Sequence, residues 1–141
     1  MTVLVDEGDR LPVRQQIDEL EAAMLDMPQV DIEVTHHFSH GIYAREILIP
    51  AGVTLTGKIH KTEHLNILSK GRITVVTDEG NKTIDAPATI VCPANTKRAG
   101  YAHTDCVWVT IHGTNETDLV KLEEELISPD YLSIKDTKVI K

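Results

Sequence analysis

The sequence predicts a mainly β protein, a sandwich or small barrel with a helix near each end. Short runs of β-forming residues, separated by turn-forming residues, fill the chain from residue 30 to residue 115. Helical periodicity precedes and follows these runs. A length of 141 residues is enough for one domain with a core and too short for two. We divide the chain into an N-terminal arm and helix (1–29), a barrel (30–115) and a C-terminal helix and tail (116–141).

The N-terminal helix is predicted from a single apolar stripe. Its residues recur at steps of four, three and four: Val13, Ile17, Leu20 and Met24. Pro12 suits a first helical turn, and Pro28 follows the end. Because an apolar helix outside a barrel needs a covering surface, we expect a homodimer.

The predicted strands are separated by short turns. They cover residues 42–49, 53–60, 64–69, 72–77, 82–85, 88–92 and 106–112. Residues 78–81, Asp-Glu-Gly-Asn, are typical of a hairpin turn. Three histidines precede the first of these strands and are predicted to lie in a solvated loop: His36, His37 and His40.

The C-terminal helix is predicted over residues 118–127. Leu119, Leu122 and Leu126 form its apolar stripe. Thr117 is the expected N-cap and Pro129 the expected stop signal.

Composition and charge exclude several classes of function. A formal charge of −8 argues against binding a nucleic-acid polymer, which requires clustered lysine and arginine. No apolar run reaches the length of a membrane span, and the N-terminus lacks a signal-peptide pattern. Cys92 and Cys106 indicate no disulfide framework. We therefore expect a cytoplasmic protein that does not associate with membranes.

Residues 52–71 have a spacing typical of metal-binding barrels: glycine, two ligand places separated by one residue, a third ligand place, and a closing glycine. Gly52 and Gly71 occupy the glycine places. The ligand places hold Lys58, His60 and His64, where the pattern has two histidines and a glutamate. The spacing therefore matches, but cations replace one histidine and the carboxylate.

A second motif lies at residues 93–98, Pro-Ala-Asn-Thr-Lys-Arg. The second motif of these metal-binding barrels has glycine at the place of Asn95 and histidine at the place of Arg98. Asn95 suits this place, because asparagine tolerates the left-handed backbone conformation that glycine adopts. The asparagine that ends the pattern is replaced by Ala102.

Together these motifs resemble those of the cupin superfamily over residues 40–115, which implies a double-stranded β-helix, a jelly-roll-like barrel. Four segments also look like small cupin-like proteins of tailed phages and prophages: 43–46 (YARE), 57–64 (GKIHKTEH), 96–98 (TKR) and 116–119 (ETDL). The resemblance implies a dimer of viral origin, located in the cytoplasm of a host cell. It does not imply a reaction.

The two histidines support a metal hypothesis. His60 and His64 are four residues apart, so equal parity allows both to face the interior of the barrel. Neutral imidazoles bind divalent Zn, Fe, Ni or Cu. The third ligand is sought among His103, His112 and Glu63, and His103 is assigned to it. A guanidinium at the place of Arg98 opposes this hypothesis, because arginine cannot lose its charge.

The cations support a different hypothesis, a pocket for a small anionic molecule that needs no metal. Lys58, Arg98 and His103 would bind a phosphorylated or nucleotide-like ligand. Tyr101 and Trp108 would stack on its base or sugar. His60 and His64 would then act as general acid and base.

Three functions follow as alternatives. The first is a protein that binds, and either processes or sequesters, an anionic metabolite or nucleotide, in a phage context for counter-defence. The second is a metal-dependent dioxygenase or isomerase that uses His60 and His64. The third is a non-catalytic interaction module that docks through the N-terminal helix.

Overall fold

The described residues form two helices and ten strands. In this computed structural model, residues 13–77, 80–128 and 139–140 are described. The elements are, in chain order, α1 (Val13–Met24), β1 (Glu33–Ser39), β2 (Ile42–Ile49), β3 (Thr54–Thr56), β4 (His64–Lys70), β5 (Arg72–Thr77), β6 (Gly80–Asp85), β7 (Ala88–Cys92), β8 (Ala99–Ala102), β9 (Cys106–Gly113), α2 (Leu119–Leu126) and β10 (Val139–Ile140).

The strands form two five-stranded antiparallel sheets. The first has the order β1-β2-β9-β4-β7, and the second β10-β3-β8-β5-β6. Both sheets contribute to one apolar core, in which Leu68 and Trp108 of the first sheet meet Ile73 and Val75 of the second. This is the mainly β barrel that the strand pattern predicts.

Strand β9 shows how the interior divides into an apolar end and a polar end. Its residues alternate between buried and partly exposed, and the buried ones are Cys106, Trp108, Thr110 and His112. The residues of β2 opposite them in register are Ile49, Ile47, Arg45 and Tyr43. The inward face is therefore apolar near the start of β9 and polar near its end.

Helix α1 is attached to the barrel by a buried ion pair. The Nζ of Lys97 lies 2.7 Å from Oε2 of Glu21, and both side chains are fully shielded from solvent. Thr56 donates a hydrogen bond to the same carboxylate, and Lys97 also donates to the carbonyl of Gly57. Ile17, Glu21 and Met24 are buried, whereas Leu20 is 38% exposed. The predicted stripe is therefore wrong at Leu20, because the carboxylate of Glu21 turns toward the buried cation.

Helix α2 covers one end of the barrel. Its N-cap is Asp118 rather than Thr117, because the Asp118 side chain accepts from the amides of Val120 and Lys121. Leu122 and Leu126 pack on Tyr43. Leu119 is 48% exposed and does not belong to this buried face. Pro129 lies outside the described residues.

The strand boundaries differ from prediction in three places. His36 and His37 lie in β1, a strand that pairs along its whole length with β2, so the loop predicted there is wrong for these two residues. Strand β3 ends at Thr56, which leaves residues 57–60 outside a named strand. Strand β8 was not predicted. The 77–80 connection joins β5 to β6, but residues 78 and 79 lie outside the described part of the chain.

The turn residues of both motifs behave as their positions predict. Asn95 has a φ of 63°, the left-handed conformation expected where the pattern has glycine. Gly71 has a φ of 94°, and a Cβ there would lie 2.7 Å from Sγ of Cys106 and closer still to the carbonyl oxygen of Asp105. Gly71 is therefore required for both its φ and its close approach to the chain before β9.

Candidate functional site

Three histidines converge at the polar end of the barrel. His60 lies in the connection before β4, His64 is the first residue of β4, and His112 lies near the end of β9. Their ring centroids are 4.4 Å (His60–His64), 4.8 Å (His60–His112) and 4.7 Å (His64–His112) apart. One nitrogen from each ring lies within 4.8 Å of the others. We refer to these residues as the histidine triad.

Backbone contacts fix the positions of His60 and His112. The His60 carbonyl accepts from the amide of Asn95 at 2.8 Å, which connects the two sequence motifs. His60 also forms a β-bridge with Ile127, just after α2. His112 is fixed by its place in β9, opposite Tyr43.

The hydrogen bonds of the triad leave two ring nitrogens available. Nδ1 of His64 lies 3.0 Å from the carbonyl oxygen of Thr62. A carbonyl only accepts, so Nδ1 carries the proton and Nε2 of neutral His64 presents a lone pair. Nδ1 of His60 and Nε2 of His112 share a hydrogen bond of 2.9 Å. Within the described part of the chain, Nε2 of His64 and Nδ1 of His112 are buried without a hydrogen-bond partner.

Burial keeps all three imidazoles neutral. Desolvation, followed by repulsion from His64, His112 and two arginines, lowers the pKa of His60 to about 2. Desolvation and repulsion from His64 lower the pKa of His112 to about 4. Desolvation also lowers the pKa of His64. Neutral imidazoles with free lone pairs are the donors that divalent transition metals prefer, so the triad fits such an ion.

His103, the residue assigned as third ligand from the sequence, does not join the triad. It is exposed, and its Nε2 lies 2.6 Å from Oγ1 of Thr74, a hydrogen bond on the outer side of the second sheet. Tyr101 is also exposed and contacts the His103 ring edge-on at 5.0 Å. His112, the alternative third ligand, occupies the place instead. Glu63 is exposed as well.

A cavity of about 690 Å³ opens beside the triad. His60 and His112 line its polar end, and Ile47, Leu55 and Trp108 contribute to its apolar wall. Residues of α2, including Leu122, cover part of it. Its volume is in the range of small-molecule sites in proteins.

The two predicted cations, Lys58 and Arg98, both line this cavity. Lys58 pairs with Glu123 of α2 at 2.5 Å. The guanidinium of Arg98 lies over the ring of Trp108, 5.5 Å from its centroid. Trp108 is only 8% exposed and packs in the core rather than beside Tyr101, with which it was predicted to act.

Arg45 is a further cation that the sequence analysis did not assign. It lies on the inward face of β2, opposite Thr110, and lines the same cavity. Burial lowers the pKa of Arg45 and of Arg98, and both guanidiniums in turn help to lower the pKa of His60. The sequence signal is parity along β2, because Arg45 is two residues from Tyr43 and from Ile47, which are both buried.

His36 is a second residue whose position the sequence did not indicate. Its Nδ1 lies 2.7 Å from the Tyr43 hydroxyl, and its ring stacks on that of Tyr43 at 5.8 Å. Both residues line the cavity.

The fold resembles that of solved cupin proteins at low sequence identity. Ectoine synthase from P. lautus matches with a TM-score of 0.55 and 15% identity, over 74% of this chain and 82% of that chain. A cupin superfamily protein from Desulfitobacterium hafniense matches with a TM-score of 0.52 and 12% identity, over 78% and 94% of the two chains. KdgF from Halomonas sp. matches with a TM-score of 0.52 and 13% identity, over 67% and 91%.

These similarities confirm the fold class: the chain is a double-stranded β-helix of the cupin type. No protein-family model matches the sequence, and no curated protein matches it. Among the described residues, no helix is long and apolar enough to cross a membrane.

Proposed function

We propose that this chain is a metal-binding cupin, in which the histidine triad holds one divalent transition metal beside a cavity for a small organic molecule. The observation that carries this proposal is the convergence of three neutral imidazoles, two of which have a buried nitrogen without a partner. An unpartnered buried nitrogen is costly unless a ligand satisfies it. A metal ion would accept the lone pair of Nε2 of His64, and that of Nδ1 of His112 in the tautomer in which Nε2 of His112 donates its hydrogen bond to His60.

The surroundings of the triad support this chemistry. A bound divalent metal supplies Lewis-acid polarisation of a ligand oxygen or a lowered pKa of bound water. The hydrogen bond from His64 to the Thr62 carbonyl fixes the ring tautomer, and hydrogen bonds of this kind orient histidines that bind metal ions. The wall of the cavity around Trp108 is apolar. The candidate reactions for such a centre are the two predicted from the sequence, dioxygenation and isomerisation.

The second candidate function is metal-free binding of an anionic, phosphorylated or nucleotide-like molecule. The observation that favours it is the presence of Lys58 and Arg98 in the wall of the cavity. The pKa of His60, lowered to about 2, argues against its acting as a general acid near pH 7. We therefore treat turnover of such a ligand by His60 and His64 alone as the less favoured route. A role in phage counter-defence and the homodimer remain predictions.

The interaction-module alternative has less support. Of the apolar stripe that would form the docking face, Ile17 and Met24 are already buried, whereas Leu20 is 38% exposed. Only part of the apolar side of α1 is therefore accessible for docking.

Metal analysis of protein purified without chelator tests the proposal. We expect about one equivalent of a divalent transition metal in the unmodified chain and its loss in His112→Ala. His103→Ala is the matched control, because this histidine is exposed on the outer side of the second sheet. If the unmodified chain carries no metal and takes none up on dialysis, the proposal is overturned.

A further inference from the structure

We propose that Arg45 and Arg98 together form an anion-binding site inside the cavity, and that the ligand is an organic molecule with a carboxylate or phosphate group. The inference rests on the proposed function only in its premise that the cavity receives a small ligand. It does not require the metal.

The first observation concerns the two described lysines that are at least partly buried, both of which are paired. Lys97 pairs with Glu21 at 2.7 Å, and Lys58 with Glu123 at 2.5 Å. Even Arg72, on the surface, forms an ion pair with Asp85 at 2.6 Å. These cations have their counter-charge within the chain.

Arg45 and Arg98 differ in this respect. Among the residues that the structure describes, neither forms an ion pair or a side-chain hydrogen bond. Glu123 acts on Arg45 electrostatically, but its carboxylate is bound to Lys58. The Trp108 ring contacts Arg98 but carries no net charge. A guanidinium keeps its charge, and a bound anion would supply the counter-charge that these two arginines lack in an ion pair.

The second observation is the position of the two arginines. Arg45 projects from β2 of the first sheet, and Arg98 immediately precedes β8 of the second. Both line the same cavity, and both lower the pKa of His60. An anion between the sheets, close to the triad, can accept hydrogen bonds from both guanidiniums. The forked donors of arginine match the paired oxygens of carboxylate and phosphate.

The rest of the cavity indicates that the anion is part of a larger molecule. A volume of about 690 Å³ exceeds what an inorganic ion fills. The wall beyond the arginines is apolar and includes Ile47 and Leu55. The site therefore fits an acidic head group at the arginines and a less polar body along this wall.

Fluorescence of Trp108 offers a direct test, because this is the only tryptophan in the chain and its ring contacts Arg98. The full chain is titrated with inorganic phosphate, succinate and adenosine monophosphate, as isolated and after chelation. The three probes separate phosphate from carboxylate recognition and measure the contribution of the organic body. We expect at least one organic anion to change the fluorescence, and to bind more tightly than inorganic phosphate.

Three variants assign the effect to residues. Arg45→Gln and Arg98→Gln should each weaken binding of that anion at least tenfold, and Arg98→Lys should lose less than Arg98→Gln. Arg72→Gln is the matched control, because its guanidinium is exposed on the surface and paired with Asp85. Circular dichroism confirms folding, and Arg45→Gln serves alone if Arg98→Gln does not fold.

The proposal is overturned if no probe changes either Trp108 fluorescence or the melting temperature, or if binding is the same in Arg45→Gln as in Arg72→Gln. Failure of the proposed metal centre gives a different result. A protein that binds the anion through Arg45 and carries no metal supports the anion site and contradicts the metal.

Discussion

Nδ1 of His60 lies 2.9 Å from Nε2 of His112, although 52 residues separate them in the chain. This contact joins the first motif to β9, and His64 completes the cluster from the adjacent strand β4. The third place in the candidate metal centre is therefore filled by a strand that contains neither sequence motif.

Divalent metal should stabilise the folded chain. A ligand that binds only the folded state raises the free energy of unfolding by about 2.7 kcal/mol at a hundred times its Kd. We expect Zn²⁺ or Ni²⁺ to raise the melting temperature of the chelated protein. The increase should disappear in His64→Ala and persist in His103→Ala. Equal increases in both variants would place the metal elsewhere.

The metal-free protein should lose stability on acidification. The pKa of His112 is about 4 in the folded chain and near its ordinary value of 6.5 when unfolded. Between these values the unfolded chain binds more protons, so stability is highest above about pH 6.5 and falls as the pH approaches 4. The slope is up to about 1.4 kcal/mol per pH unit for this residue. Urea unfolding from pH 7.5 to 4.5 measures it, and His112→Phe should flatten the curve.

Breaking the buried ion pair between α1 and the barrel should be costly. Glu21→Gln leaves Lys97 buried without its full counter-charge, and we expect a loss of about 3–5 kcal/mol. The exposed pair Arg14–Asp18 in the same helix is the control, and Asp18→Asn should cost less than about 1 kcal/mol. Similar losses in both variants, measured by chemical denaturation, would contradict the importance of burial.

Gly71→Ala should destabilise the fold through both strain and collision. Its φ of 94° disfavours any side chain, and a Cβ would meet Cys106 and the backbone at Asp105. We expect a loss of about 1–3 kcal/mol from strain alone, with more from the collision.

Substitutions at two other glycines separate the effect of backbone strain from that of the collision. Gly80→Ala is strained, with a φ of 116°, but its Cβ meets no atom of the described residues within 4 Å. Gly57→Ala meets nothing within 4 Å either, and its φ lies outside the strained range. Stability should decrease in the order Gly57→Ala, Gly80→Ala, Gly71→Ala, and a reversed order would show that the contact at Gly71 relaxes.

Much of the fold was predictable because it depends on local patterns. Alternation along β9, and the part of the α2 stripe formed by Leu122 and Leu126, come from neighbouring residues. Asn95 and Gly71 mark turns because their backbone conformations are local properties. The prediction that Leu20 belongs to the buried stripe of α1 is wrong, because Glu21 is buried instead and pairs with a lysine 76 residues away. No local pattern reveals this pair.

The candidate site was also predictable only in part. Its spacing predicted that His60 and His64 lie together inside the barrel, but strand alternation applies only to His64, because His60 lies outside a named strand and is held by a bridge to Ile127. Choosing His112 over His103 required the tertiary structure, because strand pairing puts β9 next to β4 and leaves His103 on the outer side of the second sheet. The same holds for Arg45 and Arg98, which come from different sheets and share a cavity. The sequence by itself determined most of the strands, the turns at Gly71 and Asn95 and the side-chain parity within β9. Only the packing of the two sheets decided which inward residues meet, because that depends on contacts between distant parts of the chain.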